Sequence, residues 1–169
     1  MHRALYHLLL EDMKGLEILE FDPAYAADFK RLNLVWLERY FQVEPLDRTV
    51  LSDPEETIIK PGGMVFFALL NGAVVGTCAL IRHTEGLFEL SKMAVADAHQ
   101  RKGIGTQLLS HAIAWARSQS IAKLFVETNT VLESAVRLYQ RIGFRITAHD
   151  RADAHYDRTN LKLELDLQQ

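Results

Sequence analysis

A short loop, QRKGIG at positions 100–105, has the residues best suited to binding a charged ligand. It leads into a long amphipathic segment. A helix that begins here exposes unpaired backbone N–H groups and the positive end of its dipole. Gly103 and Gly105 would let a ligand approach that backbone closely, and Arg101 and Lys102 add positive charge. This combination predicts a site for a phosphate group.

Two common phosphate-binding motifs do not match this loop. A Walker A loop requires a lysine between its second glycine and the serine or threonine, whereas Thr106 directly follows Gly105. A dinucleotide-binding fingerprint requires a third glycine where this chain has Leu108, and a repeated βαβ pattern around it. Taken alone, the loop also fits an ordinary glycine-containing start of a helix.

The wider sequence resembles the GNAT N-acetyltransferase superfamily at two separate places. MAV at 93–95, followed by QRKGIGTQLL at 100–109, is similar to the pyrophosphate-binding motif of that superfamily. Asn129, Ala135 and LYQRIGF at 138–144 are similar to its Asn…Ala…Leu-Tyr-x-x-x-Gly-Phe segment. Because both matches occur in the same chain and in the same order, the resemblance is specific.

The resemblance implies an acetyl-CoA site, with the 3′-phosphate-ADP and the pyrophosphate at the glycine loop. The cofactor-binding residues that it implies are Met93, Ala94, Val95, Gln100, Arg101, Lys102, Gly103, Ile104, Gly105, Thr106, Asn129, Ala135 and Tyr139. Backbone groups of Met93 and Val95 would pair with the pantetheine amides. The stretches 29–41 and 156–167 resemble bacterial members that occur alone or joined to a helix-turn-helix domain.

Acetyl transfer to an amine requires a neutral nucleophile, and a carboxylate can remove its proton directly or through water. The resemblance offers two candidate bases. Glu89 lies six residues before Val95, and Glu127 lies twelve residues before Tyr139. Either glutamate could instead be a structural charge. Glu127 ranks slightly ahead, because it ends a predicted strand beside the predicted opening of the sheet.

Tyr139 is the candidate general acid, since the resemblance places its phenol near the thioester sulfur. The alternative is a core tyrosine, because Leu132, Ala135, Val136 and Tyr139 also form one face of a helix. Asn129 could contact the pantetheine arm, cap the following helix, or do both.

Several other reactive side chains are expected to be structural. Cys78 lies in mid-strand and is expected to be a small core residue rather than a nucleophile. The seven histidines show no paired metal spacing, so we expect no metal ion. We expect His83, His99 and His111 at the surface or hydrogen-bonded.

In the superfamily the first helices line the side on which the acceptor binds, so polar residues in and after the first helix could contact the acceptor. Glu44 and Asp47 could attract a cationic acceptor, but a solvated acidic loop is the preferred interpretation. Trp36 and Tyr40 are expected in the core rather than on the wall of an acceptor site.

A mixed α/β domain must position these residues, in the order β-α-α-β-β-β-α-β-α-β-β. Hydrophobic patterns predict strands at 16–21, 64–70, 73–81, 86–95, 122–128, 143–147 and 160–167, and helices starting near 23, 53, 103 and 131. Asn71-Gly72 predicts a two-residue hairpin turn. The resemblance implies a mostly antiparallel GNAT-like sheet with a bulged, splayed central strand and helices on both faces.

The bulge is also indicated by the residues themselves. In the fourth predicted strand, Phe88 and Leu90 share one phase of the alternation, whereas Met93 and Val95 share the other. One extra residue near Ser91-Lys92 would place all four on one face, so we predict a β-bulge there. A strand buried on both faces is the alternative.

Length and composition favour one domain, since the chain has 169 residues of which 49% are hydrophobic. The net charge of −3, with mixed signs, gives no electrostatic case for nucleic acid. A single cysteine excludes an internal disulfide and fits a cytoplasmic protein. Residues 1–15 resemble neither a signal peptide nor a membrane span and are interpreted as an extension of a domain at 16–169.

Two functions from different classes fit these observations. The first is an acetyl-CoA-dependent N-acetyltransferase that acts on a small-molecule or peptide amine by direct attack. The second is a non-catalytic acyl-CoA sensor or interaction module of the same fold, and a nucleotide-binding protein is a third reading. The last strand could pair across a homodimer.

Overall fold

A computed structural model describes residues 13–168 of the chain. The strands are β1 (Leu16–Glu20), β2 (Met64–Leu70), β3 (Ala73–Thr84), β4 (Leu87–Val95), β5 (Lys123–Thr128), β6 (Arg145–Thr147) and β7 (Leu161–Asp166). The α-helices are α1 (Ala26–Tyr40), α2 (Pro45–Ser52), α3 (Ile104–Ser118) and α4 (Glu133–Ile142). Short 3₁₀ segments cover Pro23–Tyr25 and Asp97–His99, and a π-helical turn covers Glu55–Ile59.

The seven strands form one sheet in the order β1-β2-β3-β4-β5-β7-β6. Among residues 13–168, only the β4–β5 pair is parallel, and the other pairs are antiparallel. The predicted fold class is therefore confirmed. Because β7 lies between β5 and β6, the idea that the last strand pairs across a homodimer is wrong: both of its sides are occupied, and β6 is the edge strand.

Local sequence signals explain most of the elements. Asn71 and Gly72 adopt φ angles of 51° and 82°, as a tight hairpin turn between β2 and β3 requires. Helix α4 ends at Gly143, whose φ of 119° closes the helix in the left-handed region. Helix α2 was not predicted, and the helix expected from residue 53 is the π-helical turn at Glu55–Ile59.

Helices cover both faces of the sheet and create two cores. Phe66, Leu90 and Leu108 belong to the core under α3 and α4. Phe67 and Phe29 belong to the core under α1 and α2. Adjacent residues of β2 thus point to opposite faces of the sheet, as the alternation of a strand requires. Burying each such side chain stabilises the fold by about 1.5–3 kcal/mol.

The predicted N-terminal extension falls mostly on residues 1–12, which lie outside the described residues. Within residues 13–168, none of the helices combines the length and the apolar character needed to cross a bilayer.

Candidate active site

The glycine loop leads directly into α3 with an unusual backbone. Arg101 has a φ of 60° and Gly103, the N-cap of α3, a φ of 87°. Left-handed residues that alternate with ordinary ones produce concave groups of N–H donors that bind anions. The first N–H groups of α3, from Ile104 to Thr106, have no acceptor inside the helix. The loop therefore has the backbone that a phosphate site requires.

Gly105 allows α3 to approach the sheet. A Cβ atom at this position would lie 3.2 Å from Met93 Cε and 3.5 Å from Leu138 Cδ2, so even an alanine would require the end of the Met93 side chain to move by a few tenths of an ångström. Gln100 fixes the other side of the loop, since its amide nitrogen donates to the Val95 carbonyl at 3.0 Å. The loop is thus held against the end of β4.

The predicted bulge is confirmed at Lys92 and Met93, which together face one residue of β3, Cys78. Lys92 takes a φ of 51°, which is rare for a non-glycine residue. The bulge brings Met93 and Val95 onto the face that packs against the core under α3 and α4, as the alternation predicted.

Beyond the bulge, β4 separates from β5. Within the described residues, the ladder between them joins only Leu87–Glu89 to Lys123–Phe125. The gap opens into a cleft of about 1050 Å³ that runs through the sheet. The glycine loop lies on its wall, and so do Glu89 and Glu127. The splayed central strand is therefore present.

A buried ion network anchors the bulge. Lys92 Nζ donates to Asp47 Oδ1 at 2.7 Å and to the Tyr156 hydroxyl at 2.9 Å. Arg158 donates to both Asp47 oxygens at 2.6 and 2.9 Å and to Glu44 Oε1 at 3.2 Å. The network joins β4, α2 and the loop that precedes β7.

The expected solvated acidic loop at Glu44 and Asp47 is therefore wrong. Glu44 is the N-cap of α2, and it forms a reciprocal capping box with Asp47. Asp47 is fully buried because Lys92 and Arg158 surround it with donors. Neither carboxylate is left to attract a cationic acceptor.

The charges of this network depend on one another. Burial would raise the pKa of Asp47, but hydrogen bonds from Arg158 and the charge of Lys92 outweigh it and hold that pKa below its ordinary value. Burial lowers the pKa of Lys92, and Asp47 opposes that effect. The two groups stabilise each other only while both remain in place.

Both candidate bases lie on the same face of the sheet, and each contacts a histidine. Glu89 Oε2 lies 2.8 Å from His83 Nε2, and the Glu89 side chain is 5% exposed. Glu127 Oε2 lies 3.1 Å from His155 Nδ1, and the Glu127 side chain is 6% exposed. The two histidine rings are 4.6 Å apart between centroids. The two carboxylates thus border the cleft, with imidazoles next to them.

Tyr139 lies on the cleft wall and is buried, with its ring 5.8 Å from that of Phe144. Burial raises the pKa of its phenol, so the hydroxyl keeps its proton at neutral pH. Tyr139 therefore packs in the core and borders the cleft at the same time, so the two interpretations of this side chain are compatible. Ala135 lies one turn earlier in α4, also on the cleft wall.

Asn129 holds the turn before α4 rather than capping the helix itself. Its Oδ1 accepts from Val131 N at 2.9 Å, and its Nδ2 donates to the Arg158 carbonyl at 2.6 Å. The helix N-cap is Leu132. Asn129 thus connects the cleft wall to the loop that carries Arg158.

Cys78 is fully buried, as predicted, and does not line the cleft. Burial raises the pKa of its thiol to about 12, so the nucleophilic thiolate is scarce. Trp36 packs against the core under α1 and α2, as predicted, but it also lines the cleft, so its expected absence from the wall is wrong. Tyr40 lies outside the core, because it ends α1 at the cleft with 53% exposure.

The histidine predictions hold in part. His111 is exposed and His83 is hydrogen-bonded. Among the described residues, His99 Nδ1 is buried without a hydrogen-bond partner, contrary to expectation. Sequence reasoning missed the contribution of His155, because its contact with Glu127 spans 28 residues and has no local signature.

Comparison with known proteins decides the family. The model of the Acetyltransferase (GNAT) family matches residues 26–144. The chain belongs to the GNAT acetyltransferase family. Its solved relatives include the yncA protein of Salmonella typhimurium, a structure with its cofactor acetyl-CoA. The two share 25% identity and a TM-score of 0.73, over 91% of this chain and 95% of that one.

Two GNAT relatives are close in sequence. N-acetylaspartate synthetase of Rattus norvegicus is 33% identical over 119 residues, which cover 69% of this chain and 39% of that protein. The uncharacterized N-acetyltransferase YvbK of Bacillus subtilis is 30% identical over 119 residues, covering 68% of this chain and 77% of that protein. The chain thus matches less than half the length of the first of these relatives.

Proposed function

We propose that this protein transfers the acetyl group of acetyl-CoA to a primary amine by direct attack. The observation that carries the proposal is the cleft between β4 and β5, which has a phosphate-type loop at one place on its wall and two buried carboxylates at another. One channel can therefore receive a long phosphorylated cofactor and an amine from different sides.

The cofactor would bind with its pyrophosphate on the N–H groups of residues 101–106. Arg101 and Lys102 supply positive charge beside that backbone. The pantetheine arm would then follow the gap beside Met93, Ala94 and Val95. Asn129 and Ala135 line the opposite wall of the cleft, so they would contact the arm from α4 and its preceding turn.

The amine would approach the side of the sheet that carries Glu89 and Glu127. An alkylammonium with a pKa of about 10.4 is neutral only about once in a few thousand molecules at pH 7, so removal of its proton limits attack. Either carboxylate could accept that proton, which typically accelerates such a step by about 10²–10⁴-fold. His83 and His155 then offer each carboxylate a route for the proton toward solvent.

Tyr139 would complete the reaction at the leaving group. When the amine attacks the thioester carbonyl, the C–S bond breaks and the sulfur leaves with an electron pair. The Tyr139 hydroxyl holds a proton that it can give to that sulfur. Burial raises the pKa of the phenol and so weakens it as an acid, which means that the proton moves as the C–S bond breaks and negative charge develops on the sulfur. Starting from the ammonium, the nitrogen loses two protons: the first leaves through the carboxylate to solvent before attack, and the second, lost after attack, replaces the proton that Tyr139 gives to the sulfur.

Direct attack fits the chain better than a covalent acetyl-enzyme. Cys78 is buried away from the cleft and its thiol remains protonated, so it is a poor acetyl carrier. The reaction needs no metal ion. The name of the rat relative indicates aspartate as its acceptor, and for this chain we propose the broader class of primary amines. A cytoplasmic location agrees with one reduced, buried cysteine.

A panel of amines incubated with acetyl-CoA and the full chain tests this proposal. We expect release of the CoA thiol that depends on one class of amine, and an acetylated product by mass spectrometry. Acetyl-CoA binding without turnover on any amine would favour the non-catalytic module. Competition by ATP or NAD, without turnover, would favour a nucleotide-binding protein.

A further inference from the structure

Two histidines and a carboxylate converge beside the cleft: His83 and His155, together with Glu89, which is also one of the two candidate bases. His83 Nε2 lies 2.8 Å from Glu89 Oε2, and the His155 ring packs edge-on against His83 at 4.6 Å between centroids. One ligand atom from each of the three residues lies within 4.8 Å of the other two. The set combines β3, β4 and the loop before β7 at one place.

We propose that His83, Glu89 and His155 form a binding site for a divalent transition-metal ion, with zinc as the best match. Two imidazole nitrogens and one carboxylate are a recurrent set of three zinc ligands, which leave the fourth position to water. Mg²⁺ and Ca²⁺ prefer oxygen ligands, so the two histidines select against them. The proposal departs from the sequence-based expectation of no metal, and it does not depend on the proposed acetyl transfer.

The spacing of the ligand atoms suits zinc. Zinc–ligand bonds of about 2.0–2.1 Å place tetrahedral ligand atoms about 3.3 Å apart. His83 Nε2 and Glu89 Oε2 are 2.8 Å apart, and all three ligand atoms lie within 4.8 Å of one another, a range that includes that distance. The side chains of His83 and His155 are 22% and 36% exposed, so small torsional changes can bring the atoms together and the ion can enter from solvent.

Glu127 already holds His155 in an orientation suited to a metal ion. Its Oε2 lies 3.1 Å from the backbone N–H of His155 and 3.1 Å from Nδ1 of the same residue. With Nδ1 facing this acceptor, Nε2 is the nitrogen left to bind. A carboxylate on the far nitrogen of a ligating histidine is a recurrent feature of zinc sites.

The local charge also suits a divalent cation. Glu89 and Glu127 bring two carboxylates to the cluster. Lys92, a buried cation close enough to Glu89 to interact with its charge, is paired with Asp47 at 2.7 Å, which reduces its repulsion of a metal ion. Lys162, which lies over the Phe125 ring, is paired with Glu164. Phe125 packs on the His83 ring at 5.0 Å between centroids and shields one side of the site.

Zinc titration of the metal-stripped full chain, followed by calorimetry, tests the proposal. We expect one saturable equivalent of zinc, and a Kd at least tenfold weaker in His83→Ala and in His155→Ala. Glu127→Gln should weaken the Kd by about 10–100-fold, the usual effect of removing such a supporting carboxylate. His111→Ala is the matched control, because this exposed histidine on α3 lies outside the cluster. His2 and His7 remain in every variant and give a common background.

Cobalt substitution provides a second measurement. Cobalt in the wild type should show the intense visible absorption of a tetrahedral site, and this absorption should be lost in His155→Ala. Because His155 lies on an exposed loop, that variant remains informative if His83→Ala fails to fold. Absence of saturable zinc binding, an equal Kd in the cluster variants and the wild type, or an equal loss in His111→Ala would each overturn the proposal.

Discussion

Replacing Asp47 by alanine should destabilise the protein strongly, because this carboxylate neutralises two cations that have little contact with water. The side chains of Lys92 and Arg158 are only 1% and 10% exposed. Asp47 accepts from Lys92 at 2.7 Å and from Arg158 at 2.6 and 2.9 Å. In the variant, Arg158 would keep Glu44 at 3.2 Å. Within residues 13–168, the Lys92 ammonium would keep one hydrogen bond, to the neutral Tyr156 hydroxyl, together with the weaker attraction of Glu89.

Removing one partner of a buried ion pair costs about 3–5 kcal/mol, since the remaining charge loses its compensation. Each kcal/mol lowers Tm by about 2–4 °C in a domain of this size, so Asp47→Ala should melt about 6–20 °C below the wild type. Asp28→Ala is the matched control. Its ion pair with Arg31 is 33% and 56% exposed, and such pairs contribute about 0–1 kcal/mol.

The pH dependence of the unfolding free energy gives a second expected difference. The folded-state pKa of Asp47 is lowered, so its stabilising contribution is complete above the unfolded value of about 3.9 and is lost as pH falls through the folded value. In Asp47→Ala, burial lowers the pKa of Lys92 without opposition from Asp47. The unfolded variant then binds more protons, so its stability should rise as pH increases toward about 10.4.

Urea unfolding followed by circular dichroism, from acidic to alkaline pH, measures both effects. The reasoning would be refuted if Asp47→Ala lost no more stability than Asp28→Ala. It would also be refuted if the stability of Asp47→Ala did not rise relative to the wild type at alkaline pH.

Three further predictions test the chemistry. Tyr139→Phe should lower kcat at least tenfold while the Kd for acetyl-CoA stays nearly unchanged. Tyr25→Phe, a change outside the cleft lining, is the control. A kcat of Tyr139→Phe equal to that of the wild type would rule out the acid role of Tyr139. Of Glu89→Gln and Glu127→Gln, the variant that removes the base should lose about 10²–10⁴-fold in kcat and recover in part at high pH, where the amine is neutral. If the pH dependence of kcat matched the wild type in both variants, a carboxylate base would be excluded. Cys78→Ala should keep turnover, and a loss comparable to that in Tyr139→Phe would restore the covalent route.

Much of the fold was predictable because its signals are local. Asn71-Gly72 determines a turn through its own φ angles, and the fault in the alternation of β4 revealed the bulge without knowledge of its neighbours. Two glycines before an amphipathic segment indicated the loop at the start of α3 in the same way. Each of these features depends on residues within a few positions of one another.

The missed features depend on contacts between distant parts of the chain. Asp47 looked like a solvated acid because Arg158, its main partner, lies 111 residues away. The cluster of His83 and His155 forms only when the loop before β7 folds over the sheet. The two histidines are too far apart in the sequence to show the short spacing typical of metal ligands. Buried charges and long-range histidine contacts thus required the tertiary structure, whereas turns, bulges and helix ends did not.

Calorimetric titration of acetyl-CoA into Gly103→Glu tests most directly whether the glycine loop binds the pyrophosphate. Gly72→Glu is a matched control: its φ of 82° compares with 87° at Gly103, and both positions have room for a Cβ atom. The account predicts a Kd near that of the wild type for Gly72→Glu. It predicts a loss of about 100-fold or more for Gly103→Glu, since like charges about 4 Å apart near a surface repel by about 4 kcal/mol. An unchanged Kd in Gly103→Glu, or a wild type that does not bind acetyl-CoA, would contradict it.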